Sequence, residues 1–152
     1  MDVSLLDIAV TTGIAKSGMT IGQVFKECVL HNVPGIPYCD ENNKVIGRIS
    51  IRHTLKVSST PGYMVGAAHL LGDDIWHLST SKIEARSLLD MPAEEFVLEN
   101  VATVSSVSPI VKAMAIMEKY NTGYVFLIDA GVYKGIVTRM GIAKLMLKSE
   151  VL

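Results

Sequence analysis

The sequence predicts an α+β fold built from two similar halves, each with the order strand, helix, strand, strand, helix. The stretches GRISIRH at 47–53 and GIVTRMG at 135–141 both have Gly, two residues, then Ser or Thr, and lie 88 positions apart. In each half, an amphipathic helix and two apolar strands separated by a turn come before this stretch. An internal duplication explains such an ordered recurrence.

In the first half, Thr20 is a suitable N-cap and Gln23 stands at the matching position of a capping box. The apolar residues that follow repeat at helical spacing and predict one buried helix face: Ile21, Val24, Phe25, Cys28 and Val29. Residues 33–39 and 44–50 then predict a hairpin joined by the turn DENN, and a second helix is expected after Ser50.

The second half repeats this order. Ser108 is the predicted N-cap, with Pro109 at the first helical position, where its missing N–H costs nothing. Strands are expected at 123–128 and 132–138, and a helix from Arg139. The predicted inward residues of the two helices are Ile110, Ala113, Met114, Met117, Ile142, Leu145 and Met146. The short strands that open the two halves are placed near 13–15 and 101–104. LLDI at 5–8 and LLDM at 88–91 indicate a further equivalent pair.

The composition limits the class of protein. The chain has 152 residues, is 49% hydrophobic and 19% charged, and carries a net charge of −1. This charge gives no electrostatic reason to expect nucleic acid as a partner, and the apolar stretches are too short for a membrane span. Cys28 and Cys39 are expected as free buried thiols, which fits a reducing cytoplasm. We predict the first repeat at 1–56, an insert at 57–86 with Trp76 packed on the domain, and the second repeat at 87–152.

A duplicated β-α-β-β-α unit with VPGIPYCD (33–40) before a Gly-x-x-Ser hairpin resembles the CBS domain, named for cystathionine β-synthase. A tandem pair of these domains forms a Bateman module, here expected to stand alone. The resemblance covers 5–147 apart from the insert. It implies two units packed as a pseudo-twofold pair with two equivalent clefts. It also implies a homodimer and an adenosine-containing regulatory ligand: AMP, ADP, ATP or S-adenosylmethionine.

Carried over residue by residue, the resemblance implies two sites. In the family, main chain near the first strand of one unit meets the adenine, and the Gly-x-x-Ser/Thr-x-x-Asp segment of the other unit meets ribose and phosphate. The first predicted cleft consists of Gly13, Ile14, Ala15, Pro34, Gly35, Ile36, Thr138, Arg139 and Gly141. The second consists of Ser50, Arg52, His53, Asn100, Val101, Ala102, Gly123 and Tyr124.

The last position of the motif departs from the family in both halves. The family has an aspartate there, whose two oxygens clamp the ribose hydroxyls. This sequence has His53 in one half and Gly141 in the other. A neutral imidazole offers one acceptor and glycine offers no side chain, so neither half keeps the clamp. Thr138, with Arg139 directly after it, makes the first cleft the preferred phosphate site.

The sequence contains no convergent set of catalytic residues, so we expect no enzyme activity and no required cofactor. The segment HLLGDDIWH (69–77) brings two histidines and two aspartates close together, but a solvated acidic turn explains it better than a metal site does. Two hypotheses remain. One is a module that senses a nucleotide and regulates an unknown partner protein. The other is a dimeric interaction scaffold whose clefts have lost nucleotide binding.

Overall fold

Two copies of one five-element unit follow each other in the computed structural model, which describes residues 3–59, 62–70, 72 and 82–149. The first copy begins with a single strand-like residue, Ala15, that pairs with Tyr38. The elements that follow are α1 (Ile21–His31), β1 (Gly35–Cys39), β2 (Val45–Ser50) and α2 (Ile51–Ser59). The connecting segment contains α3 (Gly62–Gly66) and α4 (Lys82–Leu89). The second copy comprises β3 (Thr103–Val104), α5 (Ile110–Lys119), β4 (Tyr124–Asp129), β5 (Val132–Thr138) and α6 (Arg139–Ser149). The predicted α+β class and the duplication are confirmed.

The described part of the insert contains α3, and α4 runs across the predicted boundary at 86/87. The three domain boundaries therefore stay a prediction. Trp76 lies outside the described residues. At the end of α4, Leu88 is buried in the core, and the N–H of Ile21 donates to the carbonyl of Met91 at 2.9 Å. The end of the insert is thereby tied to the start of α1.

The start of α1 follows its sequence signature. Thr20 Oγ1 accepts from the N–H of Gln23 at 3.2 Å, and Gln23 Oε1 accepts from the N–H of Thr20 at 2.9 Å. The start of α5 does not. Ser108 uses its hydroxyl to accept from the N–H of Ser105 at 3.1 Å, and the N-cap is Pro109, in an extended conformation. The prediction of Ser108 as N-cap is wrong because the preceding turn uses its side chain.

Both hairpins form in the predicted order. β1 pairs with β2, and β4 with β5, each antiparallel, while β3 adds to β4 in parallel. The first turn is held by Asp40 Oδ1, which accepts from the backbone N–H groups of Asn42 and Lys44. The second turn consists of Ala130 and Gly131, both with positive φ, which is the conformation that two-residue hairpins require.

The two repeats exchange short crossing segments. Val10, before the first repeat, makes an antiparallel bridge to Ile136 in β5, and Leu98, before the second, makes one to Arg48 in β2. These contacts explain the shared glycines of the opening motif. A Cβ on Gly135 would lie 2.8 Å from the carbonyl oxygen of Val10, and one on Gly47 would lie 2.8 Å from that of Leu98. Glycine is needed at each place because another backbone crosses there.

A short 3-10 turn stands before each crossing segment and packs into the other repeat. Leu5, in the turn Leu5–Asp7, is fully buried in the core cluster of the second repeat, together with Val125 and Val137. The turn Ala93–Phe96 buries Phe96 in the cluster that contains Ile21, Val24 and residues of β4 and β5. The equivalence of 5–8 with 88–91 is therefore wrong. The structural counterpart of the first turn is Ala93–Phe96, at the same 88-residue spacing as the glycines.

Most predicted inward residues are buried or packed on the core. Within α1, Ile21, Val24 and Cys28 are buried, whereas Val29 is 74% exposed, so its assignment to the core face is wrong. Helical spacing places Val29 next to that face, but none of the described elements covers it on this side. Cys28 and Cys39 are free and buried, as predicted.

Candidate ligand clefts

Each repeat ends its hairpin with a hydroxyl residue that caps the following helix. Ser50 Oγ accepts from the N–H of His53 at 3.0 Å, and Thr138 Oγ1 accepts from the N–H of Gly141 at 3.1 Å. Both side chains therefore act as helix caps. The position that differs between the two motifs is thus the third residue of each helix, directly above the cap and facing a cleft.

The larger cleft, called here the Thr138 cleft, has a volume of about 930 Å³. Its floor and sides come from the segment 7–10, the end of α1 with the following loop, and the first turns of α6. Its polar and backbone lining comes from Asp7, Ile8, His31, Pro34, Thr138, Arg139, Gly141, Lys144 and Lys148. Apolar side chains of Val29, Val33, Ile51 and Leu145 complete the wall.

Four of the nine residues predicted for this cleft line it, namely Pro34, Thr138, Arg139 and Gly141. The other five do not: Gly13, Ile14, Ala15, Gly35 and Ile36. Ala15 is fully buried and both its backbone groups are engaged, since its N–H donates to Pro37 and its carbonyl accepts from Cys39. Gly35 and Ile36 are buried in β1. The segment that faces α6 is instead 7–10, one stretch earlier in the chain, because the crossing segment lies between the first strand and the second repeat.

The positive charges of the Thr138 cleft are not where the sequence analysis placed them. The guanidinium of Arg139 is 3.1 Å from Glu118 on α5, in an exposed ion pair. Lys144 and Lys148, one turn apart on α6, line the cleft instead. The sequence analysis missed both lysines, although their spacing from Gly141 and Thr138 along a predicted helix was available as a signal.

Gly141 lies close to the crossing segment. A Cβ at this position would be 3.4 Å from the carbonyl oxygen of Ile8 and 3.6 Å from Thr138 Oγ1. These are ordinary van der Waals distances, so a side chain can be accommodated here. The glycine is therefore not required by packing, and a Cβ fits here without displacing the crossing segment.

The smaller cleft, called here the Ser50 cleft, is related to the first by the duplication. Its volume is about 230 Å³. Five of the eight residues predicted for it line it, namely Ser50, Arg52, His53, Gly123 and Tyr124. Arg48, Lys56 and Leu98 also line it and were missed by the sequence analysis.

Arg48 bridges the two repeats at the edge of the Ser50 cleft. Its Nε donates to the carbonyl of Asn100 at 2.9 Å, and its Nη1 donates to the hydroxyl of Tyr124 at 2.7 Å. The guanidinium also lies 5.6 Å from the centre of the Tyr124 ring, within cation–π range. The residue 88 positions later is the buried Ile136, so the Thr138 cleft has no equivalent of this side chain.

The main-chain residues predicted to contact adenine in the second cleft lie outside it, beside Arg48. Asn100 and Ala102 border a separate recess beside Arg48 and Tyr124, and Val101 packs on the core. The carbonyl of Asn100 is taken by Arg48, and that of Ala102 accepts from the N–H of Phe126. These three residues do not line the Ser50 cleft, and their contact with a ligand stays a prediction.

His53 is neutral in this setting. Burial lowers the pKa of its imidazole below the usual 6.5, and the charges of Arg48 and Lys56 lower it further. Its backbone N–H is used by the cap on Ser50, so only the ring is available to the cleft.

Two other sequence expectations concern metals and membranes. Within the described ranges, no three His, Cys, Asp or Glu side chains come together as a metal site. Asp73, Asp74 and His77 lie outside those ranges. Among the helices of the described part of the chain, none has the length and apolar character to cross a membrane.

Comparison with known proteins identifies the fold. Residues 93–148 match the family model of the CBS domain, and no curated protein matches the sequence. A CBS domain-containing protein of unknown function from Bacillus anthracis is similar in structure, with a TM-score of 0.66 at 19% identity, over 97% of this chain and 95% of that one.

Two further similar structures contain ligands. One is the CBS domain pair of protein MJ0100 in complex with 5′-methylthioadenosine and S-adenosyl-L-methionine, with a TM-score of 0.64 at 22% identity, over 96% of this chain and 97% of that one. The other is CBSX2 in complex with AMP, with a TM-score of 0.67 at 15% identity, over 99% of this chain and 100% of that one. The chain therefore contains a CBS domain at 93–148, and over its length it has the fold of a CBS-domain pair.

Proposed function

We propose that this protein is a regulatory module that binds an adenosine-containing nucleotide in the Thr138 cleft and thereby modulates a partner protein. The observation that carries the proposal is the size and position of this cleft: about 930 Å³, at the start of α6 and between the two repeats. Small-molecule sites usually have volumes of about 300–1,000 Å³. Two solved structures of the same fold were determined with AMP or with adenosine-containing ligands.

The chemistry of the walls supports the same ligand class. Val29, Val33 and Leu145 offer apolar surface on which a base can lie. The start of α6 favours negative charge, and Lys144 and Lys148 lie further along the same cleft wall. A base and a phosphate thus bind at different ends of one cavity.

The proposal is tested by a thermal-shift screen of AMP, ADP, ATP, S-adenosylmethionine and adenosine. Ligand at 100 times its Kd stabilises the folded state by about 2.7 kcal/mol. Lys144→Ala, an exposed position, should weaken AMP more than adenosine, because only AMP carries the phosphate. The matched control is Lys56→Ala, 88 positions earlier in the Ser50 cleft, which should leave AMP binding unchanged. The absence of a shift with every nucleotide at millimolar concentration argues against a nucleotide sensor.

A dimeric interaction scaffold is the second candidate, and exposed apolar side chains on the helices favour it. Leu30 on α1, Val111 on α5 and Leu147 on α6 are 74%, 65% and 85% exposed. Surfaces of this kind are used in contacts between proteins. Sedimentation at tens of micromolar should give a homodimer. A dimer that responds to no nucleotide would support the scaffold, and a monomer would contradict it.

A further inference from the structure

Among the described residues that line the Ser50 cleft, several are basic and none is acidic. Arg48, Arg52 and Lys56 line it together with His53, and none of its lining residues is Asp or Glu. Arg52 and Lys56 lie four residues apart on α2 and are both exposed, so they lie on one side of that helix. Three permanent positive charges thus surround one small cavity.

The charge of Arg48 remains available to a ligand. Both of its hydrogen-bond acceptors, the carbonyl of Asn100 and the hydroxyl of Tyr124, are neutral groups. Within the described residues, the ion pairs are those of His31 with Glu27 and of Arg139 with Glu118, and neither involves a basic residue of this cleft. The two hydrogen bonds fix the guanidinium in place without neutralising it.

The size of the cleft restricts what can enter. At about 230 Å³, it lies below the range of roughly 300–1,000 Å³ that is typical for drug-sized ligands. Arg48 also engages the carbonyl of Asn100, so this main-chain acceptor is not free to bind a base. The cavity is therefore suited to a group that has several negative oxygens and no nucleoside.

The state of His53 is consistent with a positive potential in the cleft. Its pKa is lowered by burial and by Arg48 and Lys56, so at neutral pH it adds no charge of its own. A neutral imidazole can donate one hydrogen bond to an oxyanion, and a bound anion would raise its pKa. His53 is consequently a natural reporter of what binds there.

We propose that the Ser50 cleft is a site for a small phosphate oxyanion, held by Arg48, Arg52 and Lys56, which excludes nucleosides. This goes beyond the function proposed above, because it concerns the other cleft and a different ligand. The two clefts of the duplicated fold would then have separate ligands, one with a base and one without.

The test uses the full-length protein and inorganic diphosphate as the probe. Calorimetric titration gives the Kd, and NMR titration of the His53 ring, assigned with His53→Gln, gives the location. We expect a submillimolar Kd and a raised pKa of His53. Arg52→Ala and Lys56→Ala should each weaken binding by about tenfold, because each removes a charge-assisted contact. Both side chains are exposed, so the variants should remain folded.

The matched control is Lys112→Ala, an exposed lysine of α5 that lines neither cleft, which should leave diphosphate binding unchanged. Three results would overturn the proposal. The first is the absence of heat and of any His53 response at millimolar diphosphate. The second is an equal loss of affinity in Lys56→Ala and Lys112→Ala, which indicates nonspecific attraction. The third is displacement of diphosphate by adenosine, which shows that a nucleoside enters the cleft. Failure of AMP to bind in the Thr138 cleft would leave these outcomes unaffected.

Discussion

Replacing Gly141 by aspartate should improve nucleotide binding in the Thr138 cleft. This residue is the third of α6 and stands where the family carries the aspartate that clamps ribose. A Cβ here would be 3.4 Å from the nearest atom, the carbonyl oxygen of Ile8, so the substitution requires no rearrangement of the crossing segment. We therefore expect Gly141→Asp to fold normally and to present its carboxylate to the cleft.

The expected magnitude follows from two contributions. A carboxylate that accepts hydrogen bonds from two ribose hydroxyls should contribute at least about 1.4 kcal/mol net, which is a tenfold decrease in Kd. The folded state should gain from zero to about 1 kcal/mol, because glycine is a poor helix former and an acidic side chain near a helix N-terminus is favourable.

The assay compares the Kd for AMP and for 2′-deoxy-AMP, by calorimetry, in the natural sequence and in the variant. Only AMP can offer both hydroxyls, so the gain should be at least about tenfold for AMP and clearly smaller for the deoxy analogue. The matched control is His53→Asp, which places the same residue in the smaller Ser50 cleft and should leave the affinity for both nucleotides unchanged. An equal gain for both nucleotides, or none for AMP, would refute the placement of ribose beside Gly141.

Three further predictions concern single groups. Thr138→Ala should lower the free energy of unfolding by about 1 kcal/mol in urea denaturation, because a helix cap is lost; an unchanged value would show that the cap contributes nothing. The pKa of His53 should lie below 6.5 in NMR titration and rise in Lys56→Ala. Because the folded state favours the neutral ring, the free energy of unfolding should decrease as the pH falls below about 6.5. A measured pKa of His53 at or above that value would contradict the effect of burial and of Arg48. Burial, with a nearby carboxylate, raises the pKa of Cys28 to about 11. Alkylation of this thiol at pH 8 should therefore be much slower in the native protein than after unfolding, and equal rates would show that Cys28 is not buried.

The elements and their order could be predicted from the sequence because they depend on local signals. The capping box at Thr20, the two hairpins and the apolar spacing along α6 all lie within single segments, and the structure contains each of them. The shared Gly was also noticed, but its reason was not. It makes room for a backbone more than 30 residues away in sequence, and nothing near Gly47 or Gly135 indicates this neighbour.

The site was only partly predictable because its walls come from long-range contacts. The first cleft was predicted at residues 13–15 on the assumption that the first strand faces the second repeat. The crossing segment at 7–10 lies between that strand and the second repeat instead. The role of Arg48 was missed for a related reason. Its partners, Asn100 and Tyr124, come from the other repeat, and the alternation of a strand does not reveal a polar bridge between repeats.

The exchanged bridges at Val10 and Leu98 have a consequence for how the chain must be handled and how it folds. A fragment limited to the stretch that matches the CBS domain, 93–148, would lack Val10 and leave the outer backbone groups of Ile136 without their partner. Such an open strand edge invites pairing between molecules. We therefore expect the fragment to aggregate where the whole chain does not. Val10 and Ile136 are also 126 positions apart. The sheet of the second repeat is therefore completed by one of the first segments to be synthesised. Pairing between residues so distant in sequence should slow folding.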